Sequence, residues 1–370
     1  MPTPDSLLGA QTSLSSHTPR IASQLTPETV AALCRIHFGS HAQNVTMLGG
    51  EVASNARVDT PDGPVMFKAV ATSATSDSQR VEAQIRWQIG VSNVASAAGL
   101  PVPANRRTLD GDALAVIAED GRELLVQVSD WMPGRTFVEA GDVDSGEPGL
   151  ALREDLGRKA GALARAIAER PAPEEPNDHE WSFECMSENI RAGLAGIPST
   201  GPGALALQDI AAVERIVGWF ETRALPLLPA LPRGVTHHDL NDFNVLVDTT
   251  APTPRVSGII DFDDAREGPL VAEPAIAGGY SMLGCSDPLA ALAAVIAGYR
   301  RERPLSDAEL VAVFPGAAAR LCLNAVVWTS RHEGTAVGYG AARTARTWPT
   351  IRAVARLNPD MALERITPAA

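Results

Sequence analysis

The sequence contains few cysteines, which excludes two classes of protein: those with a cysteine-ligated metal and small proteins stabilised by disulfide bonds. Only 4 of the 370 residues are cysteine, at positions 34, 185, 285 and 322. No two of them have the spacing of metal ligands, and a chain of this length does not depend on disulfide bonds for its stability. We therefore expect four reduced and mostly buried cysteines, as is typical of a cytoplasmic protein.

Positive charge and long apolar runs are also scarce. The chain has 31 Lys and Arg against 44 Asp and Glu, a formal net charge of -13. Nucleic-acid binding requires clustered Lys and Arg, so no nucleic-acid partner is expected. The negative charge fits ordinary solubility, and it also fits an acidic pocket for a cationic small molecule. No apolar run is predicted to span a membrane, and the N-terminus lacks a signal pattern, so no membrane partner is expected.

The length and composition predict two lobes preceded by a tail. A chain of 370 residues with 45% hydrophobic residues is too long for one minimal core. Residues 1–25 are rich in Ser, Thr and Pro and are predicted to be disordered. Residues 26–130 are predicted to form a β-rich N-lobe, and residues 131–370 a helical C-lobe.

The N-lobe pattern predicts a small antiparallel sheet with a helix on its face. A first helix is expected in LTPETVAALCRIHFG, with Thr26 as its cap, Pro27 in its first turn and Gly39 at its end. A longer helix is expected from residue 77 to about residue 98. The predicted strands are NVTMLGG, SNARVDT, VMFKAV, ALAVIAE and ELLVQVSDW.

The C-lobe pattern is mainly helical. REDLGRKAGALARAIAER predicts an amphipathic helix, residues 209 to about 228 predict another, and helices are expected from about Glu273 onward. ALAAVIAGY and GAAARLCLNAVVW are interpreted as buried helix faces.

Polar residues are concentrated in GVTHHDLNDFNVLV, between strand-forming neighbours. Residues 245–247 and 256–260 predict a β-hairpin, which would place Asn244 opposite Asp261. One amide oxygen and one carboxylate oxygen suit Mg²⁺, which prefers hard oxygen ligands and retains waters and substrate phosphates. Asp239 lies in the loop before the hairpin, where its carboxylate could accept a proton from a substrate hydroxyl. A metal clamp beside a base is the arrangement that phosphoryl transfer requires.

The pair HHDLNDFN and IDFDD resembles the motif pair of the aminoglycoside phosphotransferase-like kinases. SGIIDF and PLVAEPAIAGGYSMLG make the hydroxylysine kinase branch the most similar part of that family. The resemblance covers roughly residues 40–335. It implies an α+β, bilobal, protein-kinase-like fold with a small antiparallel-sheet N-lobe and a larger helical C-lobe.

The resemblance also implies nucleotide-binding residues in the N-lobe. Lys68 lies mid-strand among apolar residues and matches the family's lysine for the α- and β-phosphates, although an edge-strand lysine facing water gives the same pattern. Glu82 matches the glutamate that orients this lysine in the family, unless Glu82 lies on a solvated helix face. Glu123 is the alternative candidate for the same role. Gly49 and Gly50 suggest a turn over the phosphates, or an ordinary hairpin turn. The other residues implied at the nucleotide are Ser54, Met66, Ser129 and Trp131, the last two in the connection between the lobes.

In the C-lobe the resemblance implies supporting roles for His237, which would hydrogen-bond the loop backbone, and Glu273, which would anchor a helix against the loop. His238 replaces a glycine common in the family, so it either crowds the loop or faces the substrate. Asp263 and Asp264 are expected to bind a second Mg²⁺ or the amine of a cationic acceptor, or else to begin a surface loop.

The expected function is a small-molecule kinase. It would use Mg²⁺ and transfer the γ-phosphoryl group of ATP or GTP to a hydroxyl of an amino alcohol or a hydroxylated amino acid such as hydroxylysine. The alternatives are an aminoglycoside or other antibiotic O-phosphotransferase, a nucleotide-binding pseudokinase, and a metal phosphohydrolase using the adjacent His238 and Asp239.

Overall fold

The computed structural model divides into two compact units. The first contains the described residues up to Glu82 together with Arg106–Ser129, and the second contains Ala83–Asn105 together with the chain from Asp130 onward. The tail predicted at residues 1–25 lies almost entirely outside the described residues. Residues 50–52, which belong to the turn predicted over the phosphates, also lie outside them. The structure describes residues 25–49, 53–73, 76–119, 122–140, 146–173, 180–201, 203–331 and 344–367.

Local capping signals define the first helix of unit 1, α1 (Pro27–Phe38), as predicted. The Thr26 hydroxyl accepts a hydrogen bond from the Thr29 backbone N–H at 3.3 Å, which satisfies one of the free donors of the first turn. Gly39 ends the helix with a left-handed backbone (φ 64°). The buried face of α1, which includes Cys34, packs into the apolar core of this unit.

The five predicted strands of unit 1 form one sheet, in the order β1-β2-β3-β5-β4. The predicted long helix is also confirmed, as α2 (Ser76–Ala97). In β3 the side chains alternate between the faces of the sheet: Phe67 is buried, whereas Met66 and Lys68 share the other, half-buried face. The strands are β1 (Asn44–Leu48), β2 (Ser54–Thr60), β3 (Gly63–Ser73), β4 (Ala115–Glu119) and β5 (Arg122–Asp130).

Helices dominate unit 2. The helix predicted from 209 to about 228 was too long: it ends at Trp219, and a π-helical turn (Phe220–Ala224) follows it. Pro226 follows this turn and lacks a backbone donor, so no α-helix continues to residue 228. Residues 83–97 of α2 also belong to this unit. The described α-helices that lie entirely in it are α3 (Gly146–Ile167), α4 (Met186–Gly196), α5 (Leu207–Trp219), α6 (Ala272–Ser281), α7 (Pro288–Glu302), α8 (Asp307–Ser330), α9 (Thr347–Val354) and α10 (Pro359–Ile366).

Helices α3 and α7 approach each other through glycines. A Cβ atom added at Gly298 would lie 1.9 Å from the Glu154 carbonyl oxygen, and one added at Gly157 would lie 2.0 Å from the Val295 carbonyl oxygen. Any larger residue at these positions would force the two backbones apart. The contact therefore depends on glycine at both positions.

Helix α8 corrects the expectation that no apolar run reaches membrane-spanning length. Its length and composition are sufficient to cross a membrane, but 94% of its most apolar window is buried inside the structure. It begins with a capping box in which Ser306 and Glu309 satisfy each other's backbone N–H groups. Burial to this extent is typical of a helix in the core of a folded protein.

All four cysteines are free thiols, as expected. Cys34 and Cys322 are buried, Cys285 is partly buried, and Cys185 is exposed. The expectation that most are buried is therefore correct for only two of them. Cys185 is exposed because it stands at the N-cap of α4, at the end of a loop.

Short strands in unit 2 hold the segment at residues 237–244, which we call the candidate catalytic loop. It connects β7 to β8, and β8 pairs antiparallel with β9, which confirms the predicted hairpin. The remaining strands pair β7 with β10 and β8 with β6. The strands are β6 (Arg135–Thr136), β7 (Arg233–Thr236), β8 (Val245–Asp248), β9 (Arg255–Ile259) and β10 (Arg266–Pro269).

Candidate active site

The register of the β8–β9 hairpin places the two predicted metal ligands close together, but not directly opposite each other. Val245 pairs with Ile259, and the Ile260 N–H donates to the Asn244 carbonyl at 2.9 Å. Asn244 is therefore opposite Ile260, and Asp261 is one residue further. A bulge at Ser257 of β9, between the Leu246–Gly258 and Val247–Val256 pairs, shifts the register, which simple counting from the sequence missed. The two Cα atoms lie within about 9 Å of each other by backbone geometry.

Asp239 stands at the centre of the candidate catalytic loop, and three side chains hold its carboxylate. Oδ2 accepts from the amide nitrogens of Asn241 at 2.7 Å and Asn244 at 2.8 Å. Oδ1 accepts from the Arg320 guanidinium at 2.7 Å. The side chain of Asp239 remains 14% exposed, so a small molecule can reach it. The contacts fix both the rotamer and the orientation of the carboxylate.

Asn241 and Asn244 give the loop its shape. The side-chain oxygen of Asn241 accepts from the backbone N–H groups of Phe243 at 2.8 Å and Asn244 at 3.1 Å, which closes a tight polar turn. The Asn244 amide nitrogen donates to both the carboxylate and the carbonyl oxygen of Asp239. Because that nitrogen is committed to Asp239, the orientation of the amide is determined and Oδ1 is the atom suited to bind a cation.

His237 and Glu273 fasten the base of the loop. Glu273 is fully buried in the first turn of α6, and its Oε2 accepts from the His237 N–H at 2.8 Å. Burial raises the pKa of Glu273 to about 8. Burial also lowers the pKa of His237; this keeps the ring neutral, with Nδ1 accepting from the Asp239 N–H and Nε2 donating to the Ile260 carbonyl. These bonds tie α6, the loop and the hairpin together.

His238 faces the protein interior. It is 1% exposed and adopts a left-handed backbone conformation (φ 68°), which is unusual for a residue other than glycine. Nε2 accepts from the Phe183 N–H at 3.1 Å, and Nδ1 pairs with the Thr236 hydroxyl at 3.1 Å. Both ring nitrogens are thus used inside the protein, which argues against the expected contact of His238 with an acceptor or a metal.

Acidic residues follow the hairpin. Asp261 also has a left-handed backbone (φ 66°), and a 3₁₀ turn, Phe262–Asp264, comes next. Asp261 and Asp263 are exposed, and the Asp263 carbonyl accepts from the Gln88 side chain. Burial and then the negative charge of Asp239 raise the pKa of Asp264, against the opposing charges of Arg320 and Arg266.

These residues fit a divalent cation bound jointly with a substrate. The charges of Asp239 and Asp261 both raise the pKa of Asp264, so the carboxylates repel one another and a nearby cation would relieve this repulsion. Within the described ranges, no group of three His, Cys, Asp or Glu side chains is arranged to hold a metal alone. Asn244 and Asp261 would therefore need phosphate and water oxygens to complete the coordination of Mg²⁺.

The predicted nucleotide-binding residues of the N-lobe mostly lie in unit 1. Ser54 begins β2, and Lys68 pairs in register with Asn55. Glu82 lies on α2, whereas its rival Glu123 accepts a hydrogen bond from Ser78. The predicted connection falls at the boundary between the units, with Ser129 at the end of unit 1 and Trp131 in unit 2.

The sequence interpretation missed Arg320 and Trp181. Arg320 lies in the middle of α8, 1% exposed, and its guanidinium also donates to the Trp181 carbonyl at 3.0 Å and stacks over the Trp181 ring at 4.9 Å. The available signal was one charged residue inside the apolar run GAAARLCLNAVVW. Because an unpaired buried charge is unfavourable, that arginine implied an anionic partner elsewhere in the chain.

Comparison with known proteins identifies the family. The sequence profile of the phosphotransferase enzyme family matches residues 44–307. The chain belongs to this phosphotransferase family. The predicted resemblance is thereby confirmed, and so is the enzyme class, a phosphotransferase acting on an alcohol group of a small molecule.

Several characterised relatives of this phosphotransferase are kinases. Hydroxylysine kinase from Mus musculus is 28% identical over 307 residues, which cover 78% of each chain. Hydroxylysine kinase from Bos taurus is 26% identical and covers 72% of this chain and 70% of the relative. Homoserine kinase from Gluconacetobacter diazotrophicus is 31% identical over 264 residues, 69% of this chain and 74% of the relative.

Solved structures confirm the predicted kinase-like α+β fold of this phosphotransferase. A microcompartment-associated aminopropanol kinase superposes with a TM-score of 0.63 at 18% identity, covering 92% of this chain and all of the other. An amicoumacin kinase in complex with AMP-PNP, Ca²⁺ and Ami superposes with a TM-score of 0.62 at 16% identity, covering 90% of this chain and 96% of the other.

Proposed function

We propose that this phosphotransferase transfers the γ-phosphoryl group of ATP or GTP to a hydroxyl of an amino alcohol or a hydroxylated amino acid such as hydroxylysine. The observation that carries the proposal is the accessible carboxylate of Asp239, held by three side chains beside Asn244 and the end of the β8–β9 hairpin. A cytoplasmic location, where nucleoside triphosphates are available, belongs to the same proposal.

Asp239 is assigned as the base that orients the acceptor. Each carboxylate oxygen can accept about two hydrogen bonds. Oδ2 already accepts two, from Asn241 and Asn244, whereas Oδ1 accepts one, from Arg320. Oδ1 therefore has room for the acceptor hydroxyl. As the hydroxyl oxygen bonds to the γ-phosphorus, the bond from that phosphorus to the bridging oxygen breaks, a nucleoside diphosphate departs, and Asp239 takes the hydroxyl proton.

Asn244 and Asp261 are assigned as the protein ligands of Mg²⁺, which supplies charge neutralisation at the phosphates when bound. In unit 1, Lys68 is assigned to the α- and β-phosphates and Glu82 to orienting Lys68. Ser54, Met66, Ser129 and Trp131 stay predictions as the remaining nucleotide contacts.

The relatives support the acceptor class. Hydroxylysine and homoserine, named in three of the relatives compared above, are both amino acids that carry a side-chain hydroxyl and an ammonium group. The exposed carboxylate of Asp263 offers negative charge for such an ammonium group. Homoserine is the second candidate acceptor, favoured by 31% identity to a homoserine kinase.

The other functions have weaker support. An aminoglycoside or other antibiotic acceptor is supported only by similarity of fold. A phosphohydrolase would need His238 as a metal ligand, but both of its ring nitrogens are hydrogen-bonded within the protein. A pseudokinase would bind nucleotide without phosphorylating an acceptor, so the assay below distinguishes it.

The test incubates the purified protein with Mg²⁺, either ATP or GTP, and hydroxylysine, homoserine, an amino alcohol or an aminoglycoside, and identifies phosphorylated products by mass spectrometry. We expect phosphorylation of a hydroxylated amino acid or amino alcohol. Asp239→Asn should lower kcat at least about 10³-fold with nucleotide affinity retained, because the amide cannot accept the proton. Asp261→Ala should also weaken Mg-nucleotide binding.

The matched control is Asp110→Asn, which makes the same chemical change at an exposed residue of unit 1. Its kinetics should equal those of the wild type. Preference for an aminoglycoside, release of phosphate from a phosphoester, or nucleotide binding without product would each overturn the proposal in favour of the corresponding alternative. Full activity of Asp239→Asn would overturn the assignment of the base.

A further inference from the structure

Arg320 is a buried charge in a position that the fold alone does not require. It and Arg153 are the largest side chains of the described structure that are almost fully buried, at 1% and 2% exposure. Moving a guanidinium out of water is unfavourable, and an apolar residue of similar volume is often as stable in its place. The Nε atom of Arg320 has no hydrogen-bond partner, so its burial is not fully compensated. A role outside folding would explain its presence.

The contacts of Arg320 hold its guanidinium in one plane. One terminal nitrogen donates to the Trp181 carbonyl at 3.0 Å, and the guanidinium carbon lies 4.9 Å from the centre of the Trp181 ring and 6.0 Å from that of Tyr280. The other terminal nitrogen donates to Asp239 Oδ1 at 2.7 Å. A rigid guanidinium thus presents a single N–H to a single oxygen of the carboxylate.

The arrangement at Asp239 makes this contact directional. Asn241 and Asn244 hold Oδ2, and both belong to the candidate catalytic loop itself. Arg320 comes from α8, 81 residues further along the chain, and is the contact that holds Oδ1 from outside the loop. Without it, the carboxylate could rotate about the Cβ–Cγ bond and turn Oδ1 away from an incoming hydroxyl.

We infer that Arg320 is a positioning residue, which orients the Asp239 carboxylate so that Oδ1 meets the acceptor hydroxyl. The inference rests on the proposed function, and it extends the site to a helix that no motif identifies. Misplacement of a reacting group by about 1 Å can lower a rate about 100-fold, so orientation alone gives a measurable effect.

The first test compares crystal structures of the wild type, Arg320→Met and Arg320→Lys. Methionine fills the apolar space without a donor, and lysine restores a donor and a charge without the planar geometry. We expect the Asp239 carboxylate to be rotated in Arg320→Met and partly restored in Arg320→Lys. An unchanged carboxylate in Arg320→Met overturns the inference. If Arg320→Met does not fold, Arg320→Lys takes its place in the test. The inference is then overturned if Arg320→Lys has both the Asp239 carboxylate in the wild-type position and the kinetics of the wild type. This readout needs no acceptor.

The second test is kinetic. Arg320→Met should lower kcat about 100-fold or more and change the nucleotide Kd less than about 3-fold. Asp239→Asn combined with Arg320→Met should be no slower than Asp239→Asn alone, because both changes remove the same function. Arg153→Met is the matched control: Arg153 is equally buried, but its Nε donates to the Ser281 carbonyl and Nη2 to Cys285, so kcat should stay within about 3-fold.

The outcomes separate this inference from the proposed function. Additive effects in the double variant, or equal losses of kcat in Arg153→Met and Arg320→Met, would make Arg320 merely structural and overturn the inference. A wild-type protein that phosphorylates none of the acceptors would refute the proposed function. The crystal structures would in that case still decide whether Arg320 orients Asp239.

Discussion

Replacing His238 with glycine would set two opposing contributions to the stability of the candidate catalytic loop against each other. The left-handed backbone at His238 (φ 68°) costs a residue with a Cβ atom about 1 kcal/mol, and glycine would remove this strain. The imidazole, however, is 1% exposed and bonds to both Phe183 and Thr236. The sign of the net change depends on which contribution is larger.

The contacts should dominate. Loss of the ring leaves the buried Phe183 N–H without its acceptor, which costs about 1–3 kcal/mol. The space vacated by the ring adds about 1–2 kcal/mol, and the flexibility of glycine in the unfolded chain about 0.5–1 kcal/mol. After subtraction of the relieved strain, His238→Gly should lower the free energy of unfolding by about 1.5–5 kcal/mol. At about 2 °C per kcal/mol for a chain of this size, the Tm should fall about 3–10 °C.

The assay is thermal unfolding followed by circular dichroism, with urea denaturation for the free energy. Thr236→Val serves as the control, because it removes only the partner of Nδ1 and should cost about 1 kcal/mol. A His238→Gly variant as stable as the wild type, or more stable, would refute this reasoning. It would show that backbone strain outweighs the contacts of the ring.

Two further predictions concern stability. Gly298→Ala should destabilise the protein by at least about 3 kcal/mol, because the added Cβ would lie 1.9 Å from the Glu154 carbonyl oxygen. Gly218→Ala is the control: its added Cβ would have no atom within 4 Å, so this variant should be more stable than the wild type by about 0.5–1 kcal/mol. Equal effects in urea denaturation would contradict the proposed close approach of the helices. Burial raises the pKa of Glu273 from 4.5 to about 8, so its contribution to stability is complete below pH 4.5 and is lost as the pH rises through 8. Glu273→Gln should therefore gain on the order of 3 kcal/mol relative to the wild type between pH 5 and pH 8, and parallel pH profiles would exclude this titration.

Elements with strong local signals could be predicted from the sequence. Thr26, Pro27 and Gly39 marked both ends of α1, and the strand-forming run VMFKAV marked β3, because caps and strand propensity act within a few residues. The hairpin was predicted for the same reason. Its register was not, because a bulge depends on how two strands pair rather than on either strand alone.

Helix α8 contains a long-range contact that local sequence patterns do not reveal. Its apolar composition predicted burial correctly, and the same composition hid the ion pair of Arg320 with Asp239. Nothing near Arg320 in the sequence names its partner, since Asp239 lies 81 residues earlier. Likewise, the orientation of His238 into the interior depends on Phe183, which belongs to a distant segment.

The amino-acid sequence alone was enough to identify the family and the class of reaction, because these depend on residue types at short spacings. Tertiary structure decided which atoms meet: that Arg320 holds one oxygen of Asp239, that Glu273 is buried beneath the loop, and that His238 turns inward. The physical reason is that desolvation and hydrogen-bond geometry are properties of an environment, and that environment is built by segments far apart in the chain.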